Sequence, residues 1–337
     1  MSKKLKGLVP PGLVYLADNI ISKQNILGTS KKEGAKWAKS LYLPREAETI
    51  FFAGCGYQYT GGLESLVSLM RRMDKSAIGI ELPVSIVGFQ KKLGIDLDGA
   101  YRKVVSRNGS ADGQILRDAV EVLSGLGVKF GYLAEDEPCC GAPLHHIGLQ
   151  KEFAKNAQVM YGKLKSLGVK RVIGIVPSCT YALRNLFPNC VDEYDLEVKH
   201  FSEIILENIS LRELRFPKEV KVTYHDPCQL GRYLGLIEEP RQILKAIKGI
   251  ELVETEWTGG ERATCCGGGG GLEVVFPELS QILAVNRVRE LVETGAQIIA
   301  THCPGCVMQL KDGLKELEAD DVEVLDVVQI MAQAMEV

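Results

Sequence analysis

The sequence predicts an α/β protein built as two pseudo-symmetric halves, each a parallel-sheet βαβ unit carrying one Cys-Cys-Gly motif. Short β-branched runs bounded by Gly and Pro alternate with longer amphipathic stretches, the pattern of a doubly wound parallel sheet. The cysteines repeat as well: a single Cys, a Cys-Cys-Gly and a further Cys occur once in each half of the 337 residues. A chain of this length suggests two domains at about 150 residues each. It can bury on the order of three quarters of its unfolded surface, enough for a core without disulfide staples.

The strands are expected at Thr49-Ile-Phe-Phe-Ala53, Val172-Ile-Gly-Ile-Val176, Val220-Lys-Val-Thr-Tyr224 and Gln297-Ile-Ile-Ala300. Helices are expected at Leu63–Met73, Leu149–Leu167, Tyr233–Ile247, Glu278–Glu293 and Val307–Glu318, where apolar residues recur at steps of three and four. Pro277 suits the first turn of one of them. The first half is expected at 46–215, with an insertion at about 64–125, and the second at 216–337; residues 1–45 read as a linker-like segment. In open α/β sheets the working residues lie just beyond the carboxyl ends of the strands. The cysteines fall there, so residues distant in sequence can converge.

Composition sets the class. Hydrophobic residues at 46% and charged residues at 25% exclude disorder, collagen and coiled coil. A net charge of -3 gives no basic field for nucleic acid. Lys3, Lys4 and Lys6 precede an apolar run, but Pro10 and Pro11 interrupt it and no cleavage site follows, so no signal peptide is expected. Leu82–Gln90, flanked by Glu81 and Lys91, falls far short of the roughly 20 apolar residues that span a bilayer. A cytoplasmic chain keeps its thiols reduced, and ten reduced cysteines point to metal.

The spacing is regular. In the second half 36 residues separate Cys228 from Cys265, 36 more separate Cys266 from Cys303, and Cys306 closes a Cys-x-x-Cys. In the first half Cys55 stands 83 residues before Cys139-Cys140-Gly141, and Cys179 follows Cys140 after 38. The closing Cys-x-x-Cys has become Cys179-Thr-Tyr-Ala182. Cys190 lies off the repeat and reads as a core cysteine. Such a repeat points to a duplicated unit.

Thiolates are soft ligands for zinc, copper(I) and iron–sulfur clusters. Structural zinc takes four ligands; a fifth convergent thiol is surplus for zinc and usable by a multi-iron cluster. In extended backbone Cys265 and Cys266 point apart, so both serve one site only if the chain turns sharply. The Gly267–Gly271 run permits that turn, and Gly267 and Gly268 can bring N–H groups to cluster sulfurs. A phosphate loop fits poorly, because the Gly-Lys-Ser/Thr of a P-loop is missing. Buried inert cysteines or disulfides explain isolated positions, not a spaced pentad. Structural zinc stays open.

With Tyr224-His-Asp-Pro-Cys-Gln-Leu-Gly-Arg232 and His302-Cys-Pro-Gly-Cys306, this pattern resembles the cysteine-rich CCG family. Its members include the B-type subunit of heterodisulfide reductase and the iron–sulfur subunits of glycolate and lactate dehydrogenases. The resemblance implies that Cys228, Cys265, Cys266, Cys303 and Cys306 hold a noncubane [4Fe–4S] cluster that cleaves or forms a substrate disulfide. For Cys55, Cys139, Cys140 and Cys179 it implies a second cluster, zinc, or a site that has lost its metal, with Ala182 where a fifth Cys belongs. Pro11–Leu43 resembles the linker behind a two-cluster ferredoxin module. The implied partners are therefore a separate ferredoxin-like two-cluster subunit, a flavin-containing or cytochrome b-type subunit, and a small disulfide or thiol. Through them the chain would reach the inner face of the membrane.

His225 and His302 flank the second motif. Each can supply a proton to a product thiolate or simply hydrogen-bond its loop. His145 and His146 stand in the same relation to the first motif, and Lys199-His200 reads as solvent-exposed. The insertion, with Ile78–Phe89 and the Lys91-Lys92 pair, reads as a helical lid or a membrane-facing surface. Two rivals to a disulfide-active enzyme remain: an electron relay in a glycolate/lactate dehydrogenase-type or quinone-linked complex, and a zinc-holding membrane-docking module.

Overall fold

The computed structural model describes residues 9–74 and 113–336. Among the described residues, seven strands form two sheets: β1 (Thr49–Phe52), β2 (Arg171–Gly174), β3 (Glu197–His200), β4 (Arg215–Tyr224), β5 (Lys248–Val253), β6 (Ile298–Thr301) and β7 (Glu323–Asp326). The first sheet has the order β1-β2-β3 and the second β5-β4-β6-β7, with every pairing parallel. In register, Ile50 lies opposite Val172 and Val172 opposite Val198, while Val222 lies opposite Ile298 and Ile298 opposite Glu323. β6 is buried at all four positions, as expected of a parallel strand covered on both faces.

The four expected strands form. β3, β5 and β7 form as well, where the residue pattern carries little strand signal. Glu197-Val-Lys-His200 and Glu323-Val-Leu-Asp326 are four residues each, with two charged or polar ends. β5 is an edge strand with no fully buried residue.

Helices Pro277–Val292 and Pro304–Glu316 each begin with a proline in the first turn, where its missing N–H leaves no hydrogen bond unmade. The helix expected at Tyr233–Ile247 is shorter, covering only Glu238–Ala246. Gln229–Tyr233 is instead a single π turn directly after Cys228, and Gly235 at φ 74° separates the two. The N-terminal segment is more than a linker. Pro11–Lys23 is a helix with proline in its first turn, and Ala17, Ile20 and Trp37 are buried in the main core. Pro11 thus begins a helix rather than breaking the apolar run.

That core is continuous across both sheets, joining Phe51, Val172 and Val198 to Val222, Ile298 and Leu325. Of the insertion, the described ends are helical, Thr60–Asp74 and Gln114–Gly125. The second helix buries Leu116, Ala119, Val122 and Leu123 and packs on helix Val327–Met335 of the second half. The Ile78–Phe89 stretch and Lys91-Lys92 lie outside the described residues. Among the described residues, no helix is long and apolar enough to cross a membrane.

The halves touch through their cysteine loops. A methyl built on Gly56, one residue after Cys55, meets Pro304 Cγ at 2.6 Å. Next to it the Tyr57 hydroxyl donates to Asp326 Oδ2 at 2.5 Å, tying the first cysteine loop to the end of β7. Overpacking at such a contact costs about 1–3 kcal/mol. Gly56→Ala is therefore expected to lower the urea midpoint of unfolding; an unchanged midpoint would contradict this close seating.

Candidate metal centres

Five sulfurs of the second half meet beyond the carboxyl ends of β4 and β6. Cys228 precedes the π turn, Cys303 caps helix Pro304–Glu316, and Cys306 lies in that helix's first turn. Cys265-Cys266-Gly267 supplies the sharp turn. Gly267 sits at φ 83°, a left-handed conformation that glycine adopts without penalty. A Cβ there would lie 2.1 Å from the Ser280 carbonyl oxygen. The Gly267 N–H donates to Cys265 Sγ at 3.3 Å, and the Ser280 hydroxyl pins the turn by donating to the Gly267 carbonyl at 2.7 Å. Gly268 packs against Gln309 and Gly305 instead. Cys266 and Cys306 Sγ approach to 3.2 Å, and Cys228 feels the charges of both Cys303 and Cys266. Cys265 is exposed, Cys228 and Cys303 are half-buried, and Cys266 and Cys306 are buried, so this centre has one open side.

The first half repeats the construction. Cys139-Cys140-Gly141 makes the same turn, with Gly141 at φ 72° and its N–H on Cys139 Sγ at 3.5 Å. Asn156 pins that turn by donating to the Cys139 carbonyl at 2.9 Å. Cys140 and Cys179 Sγ lie 3.1 Å apart, and Cys55 and Cys139 Sγ lie 3.8 Å apart. Here only Cys55 is half-buried; the other three are buried. Cys190 lies outside both groups, packed half-buried against the core.

The duplication corrects the alignment suggested by spacing. Cys179 sits two residues after the proline that begins helix Pro177–Tyr181, as Cys306 sits two residues after Pro304. The two cysteines also make the matching sulfur contacts. Cys179 is therefore the counterpart of Cys306 rather than of Cys303, and the missing fifth cysteine falls at Val176, in the position of Cys303, not at Ala182. Val176 is buried, and a methyl on Gly54 would touch both its side chain and Cys179 Sγ, at 2.9 and 3.1 Å. Cys-x-x-Cys spacing alone hid this, because the shared Pro-x-Cys was the better anchor.

Thiols this close cannot all ionise unaided. Two unit charges 4 Å apart repel by about 4 kcal/mol at an effective dielectric of 20. One thiol in each group, Cys139 and Cys266, is pulled well below the usual thiol range by its neighbours. The contacts with Cys140 and Cys55 lower Cys139, and those with Cys265, Cys306 and His225 lower Cys266. The same sulfur contacts, with burial, push Cys140, Cys55, Cys265 and Cys306 up. Burial raises Cys228. A soft, positively charged metal group at each centre reverses that repulsion, and the all-thiol donor sets fit one.

The histidines fall in two places. His225 is buried, and one of its ring nitrogens lies within 4.8 Å of Cys266 and Cys306 Sγ in a mutually close group. His302 is fully buried with neither ring nitrogen hydrogen-bonded among the described residues, and burial lowers it to about 3. It is therefore neutral at physiological pH. His200, expected at the surface, is fully buried and packs edge-on against His302 with ring centroids 4.7 Å apart. It ends β3 and caps the next helix, which turns it inward. His145 hydrogen-bonds Gln150, and burial lowers His146.

Sequence reasoning missed several partners. The Glu137 carboxyl accepts from the N–H groups of Ala53 and Gly54, each at 2.9 Å, and from Gln58 at 2.7 Å. Burial raises it to about 8. Half-buried Lys31 donates to the Glu137 carbonyl and feels the charges of Cys139 and Cys55. In the second half Asp226 binds the buried Arg241 through both oxygens, at 2.6 and 2.8 Å, and Glu254 joins them. Glu137 two residues before Cys139, and Asp226 two before Cys228, were the available signals.

The fold and the site define a duplicated α/β protein in which each half gathers cysteines at the ends of a parallel sheet. Residues 105–184 and 222–311 match the cysteine-rich domain family, CCG, and together these matches cover half of the chain; the chain belongs to this family. It is 36% identical over 224 residues to the D-type subunit of the dihydromethanophenazine:CoB–CoM heterodisulfide reductase of Methanosarcina acetivorans, covering 64% of this chain and 53% of that one. It is 34% identical to the EtfAB:quinone oxidoreductase of Syntrophomonas wolfei, over 64% of this chain and 31% of that one. It is 30% identical to the B-type subunit of the fumarate reductase (CoM/CoB) of Methanothermobacter marburgensis, over 59% of this chain and 39% of that one. The matches thus span between about a third and about half of these relatives.

Asp326, which joins the halves, gives a pH test. Burial raises its carboxyl from 3.8 to about 7. The folded state therefore holds a proton that the unfolded chain has released, and stability falls as pH rises from about 4 to about 7. Three pKa units correspond to a loss on the order of 4 kcal/mol. Asp326→Asn is expected to shrink the drop in urea midpoint between pH 5 and pH 8. An equal drop in both proteins would contradict the assignment.

Proposed function

We propose that this chain is an iron–sulfur redox subunit whose second centre holds a [4Fe–4S] cluster of the noncubane type and serves a substrate disulfide or thiol pair. Cys228, Cys265, Cys266, Cys303 and Cys306 are its ligands in this reading. One observation carries it: five thiols converge where four satisfy a passive centre, and Cys265 is exposed on an open side. When bound, such a cluster would pass electrons singly, two of them from the partner together with two protons turning a disulfide into two thiols, or the reverse.

The chain's own residues shape that side. The Gly267 N–H stabilises negative charge on Cys265, and the Gly267 turn lets adjacent Cys265 and Cys266 face one centre. His302, neutral and buried, packs edge-on against His200 and Phe201, which suits a packing role rather than proton delivery. The four-thiol centre of Cys55, Cys139, Cys140 and Cys179 suits electron relay or a structural zinc, since three of its four thiols are buried. Electrons reach the chain from a ferredoxin-like two-cluster subunit and a flavin or cytochrome b-type partner. The chain works in the cytoplasm, at the membrane's inner face through those partners. That one relative belongs to a heterodisulfide reductase and another to a fumarate reductase (CoM/CoB) supports this direction. The quinone oxidoreductase relative favours a second reading, in which both centres only relay electrons.

The two readings part on substrate. Anaerobically purified chain is oxidised in the presence of a panel of small thiols and followed by electron paramagnetic resonance. A thiol-dependent cluster signal that Cys265→Ser weakens at least about tenfold is expected. A cluster signal indifferent to every thiol would leave the relay reading and end the disulfide one.

A further inference from the structure

Arg287 heads the fully buried side chains by volume, and nothing in the proposed chemistry uses it. It projects from helix Pro277–Val292. Its Nε donates to His225 Nδ1 at 3.0 Å. Its Nη1 donates to Thr258 Oγ1 at 2.9 Å, Thr264 Oγ1 at 3.3 Å and Glu290 Oε2 at 2.7 Å. Glu290 also accepts from Thr264, the residue before Cys265, at 2.6 Å. The guanidinium is thus held from both ends, by the cysteine loop and by its own helix.

A guanidinium carries only donors. His225 Nδ1 must therefore accept, which leaves the single ring proton of the neutral imidazole on Nε2. Nε2 is buried and makes no hydrogen bond to a nitrogen or oxygen among the described residues, while His225 pulls the Cys266 thiol down. The ring lies in one tight group with Cys266 and Cys306. With Nδ1 engaged, Nε2 is the nitrogen left to serve those sulfurs. An imidazole beside thiolates has two uses: it ligates a metal through a bare nitrogen, or it donates N–H to sulfur. Ligation through Nε2 needs the proton on Nδ1, where it would point into the Arg287 N–H.

We propose that Arg287 is a positioning residue that locks His225 as the Nε2–H tautomer, so that His225 donates a hydrogen bond to the Cys266 sulfur and is not a ligand. The proposal rests on the reading of the second centre as a cluster site. A hydrogen bond to a ligating sulfur favours the more negative, reduced state and raises the reduction potential. The arrangement acts on the second centre alone. Phe52 stands three residues before Cys55, as His225 stands three before Cys228, and its side chain has no N–H to give.

The test is a double-mutant cycle on the full chain, purified anaerobically, reading the reduction potential of the second centre by redox titration. His225→Ala and Arg287→Met are each expected to lower the potential, and Arg287→Met is expected to add no further shift once His225 is gone. An Arg287→Met shift of equal size with and without His225 would mean that Arg287 acts only as a buried charge, which overturns the proposal. Pulsed paramagnetic resonance on wild-type chain labelled with 15N-histidine gives a readout that needs no variant to fold. A weakly coupled nitrogen bearing an exchangeable proton is expected; a directly coordinated nitrogen overturns the assignment. A chain that takes up no iron ends the cluster reading separately. The tautomer is then read by 15N NMR of the metal-free chain: a proton on Nε2 upholds the lock and a proton on Nδ1 overturns it.

Discussion

Everything at the two centres depends on the repulsion among thiolates packed at van der Waals distance. Nine of the ten cysteines sit in two groups, with sulfur–sulfur approaches of 3.1 to 3.8 Å. Contacts between the sulfurs lower one thiol in each group and push its neighbours up, so such a group tolerates little negative charge by itself. Folding brings the thiols together because the parallel strands end side by side and because proline-started helices aim Cys179 and Cys306 inward. The assembly is therefore an all-thiol donor set, and a cationic core turns the repulsion within it into attraction.

The duplication makes the differences between the halves informative. The turns at Gly141 and Gly267 match, down to an N–H on the preceding cysteine sulfur. The helices behind them pin each turn with a polar side chain, Asn156 or Ser280. Against that common frame two things change together. Val176 stands where Cys303 stands, and the first centre is closed where the second has an exposed thiol. A four-thiol, enclosed site suits passing electrons or holding structure; a five-thiol, open site suits meeting a substrate. The halves lean on each other through Gly56, Pro304, Tyr57 and Asp326.

Much of this was legible in the sequence. The cysteine repeat and the apolar runs before Cys55, Cys179, Cys228 and Cys303 located four strands and the convergence at their ends. The three remaining strands were not legible, because four-residue segments such as Glu197-Val-Lys-His200 carry too little apolar pattern. The N-terminal helix was hidden because Pro11 breaks a helix in its interior but begins one in its first turn. His200 looked exposed beside Lys199 because a strand sends successive side chains to opposite faces. Arg287 gave no signal at all, since an arginine inside an amphipathic helix reads as solvent-facing until its partners are seen.

The most direct test of shared inorganic cores is metal and acid-labile sulfide analysis of anaerobically purified chain, combined with Mössbauer spectroscopy. Five thiols around a multi-iron core predict about four irons or more per chain with matching sulfide, and an iron subset distinct from that of an ordinary cubane. Zinc without iron or sulfide, at one tetrahedral ion per centre, would contradict it.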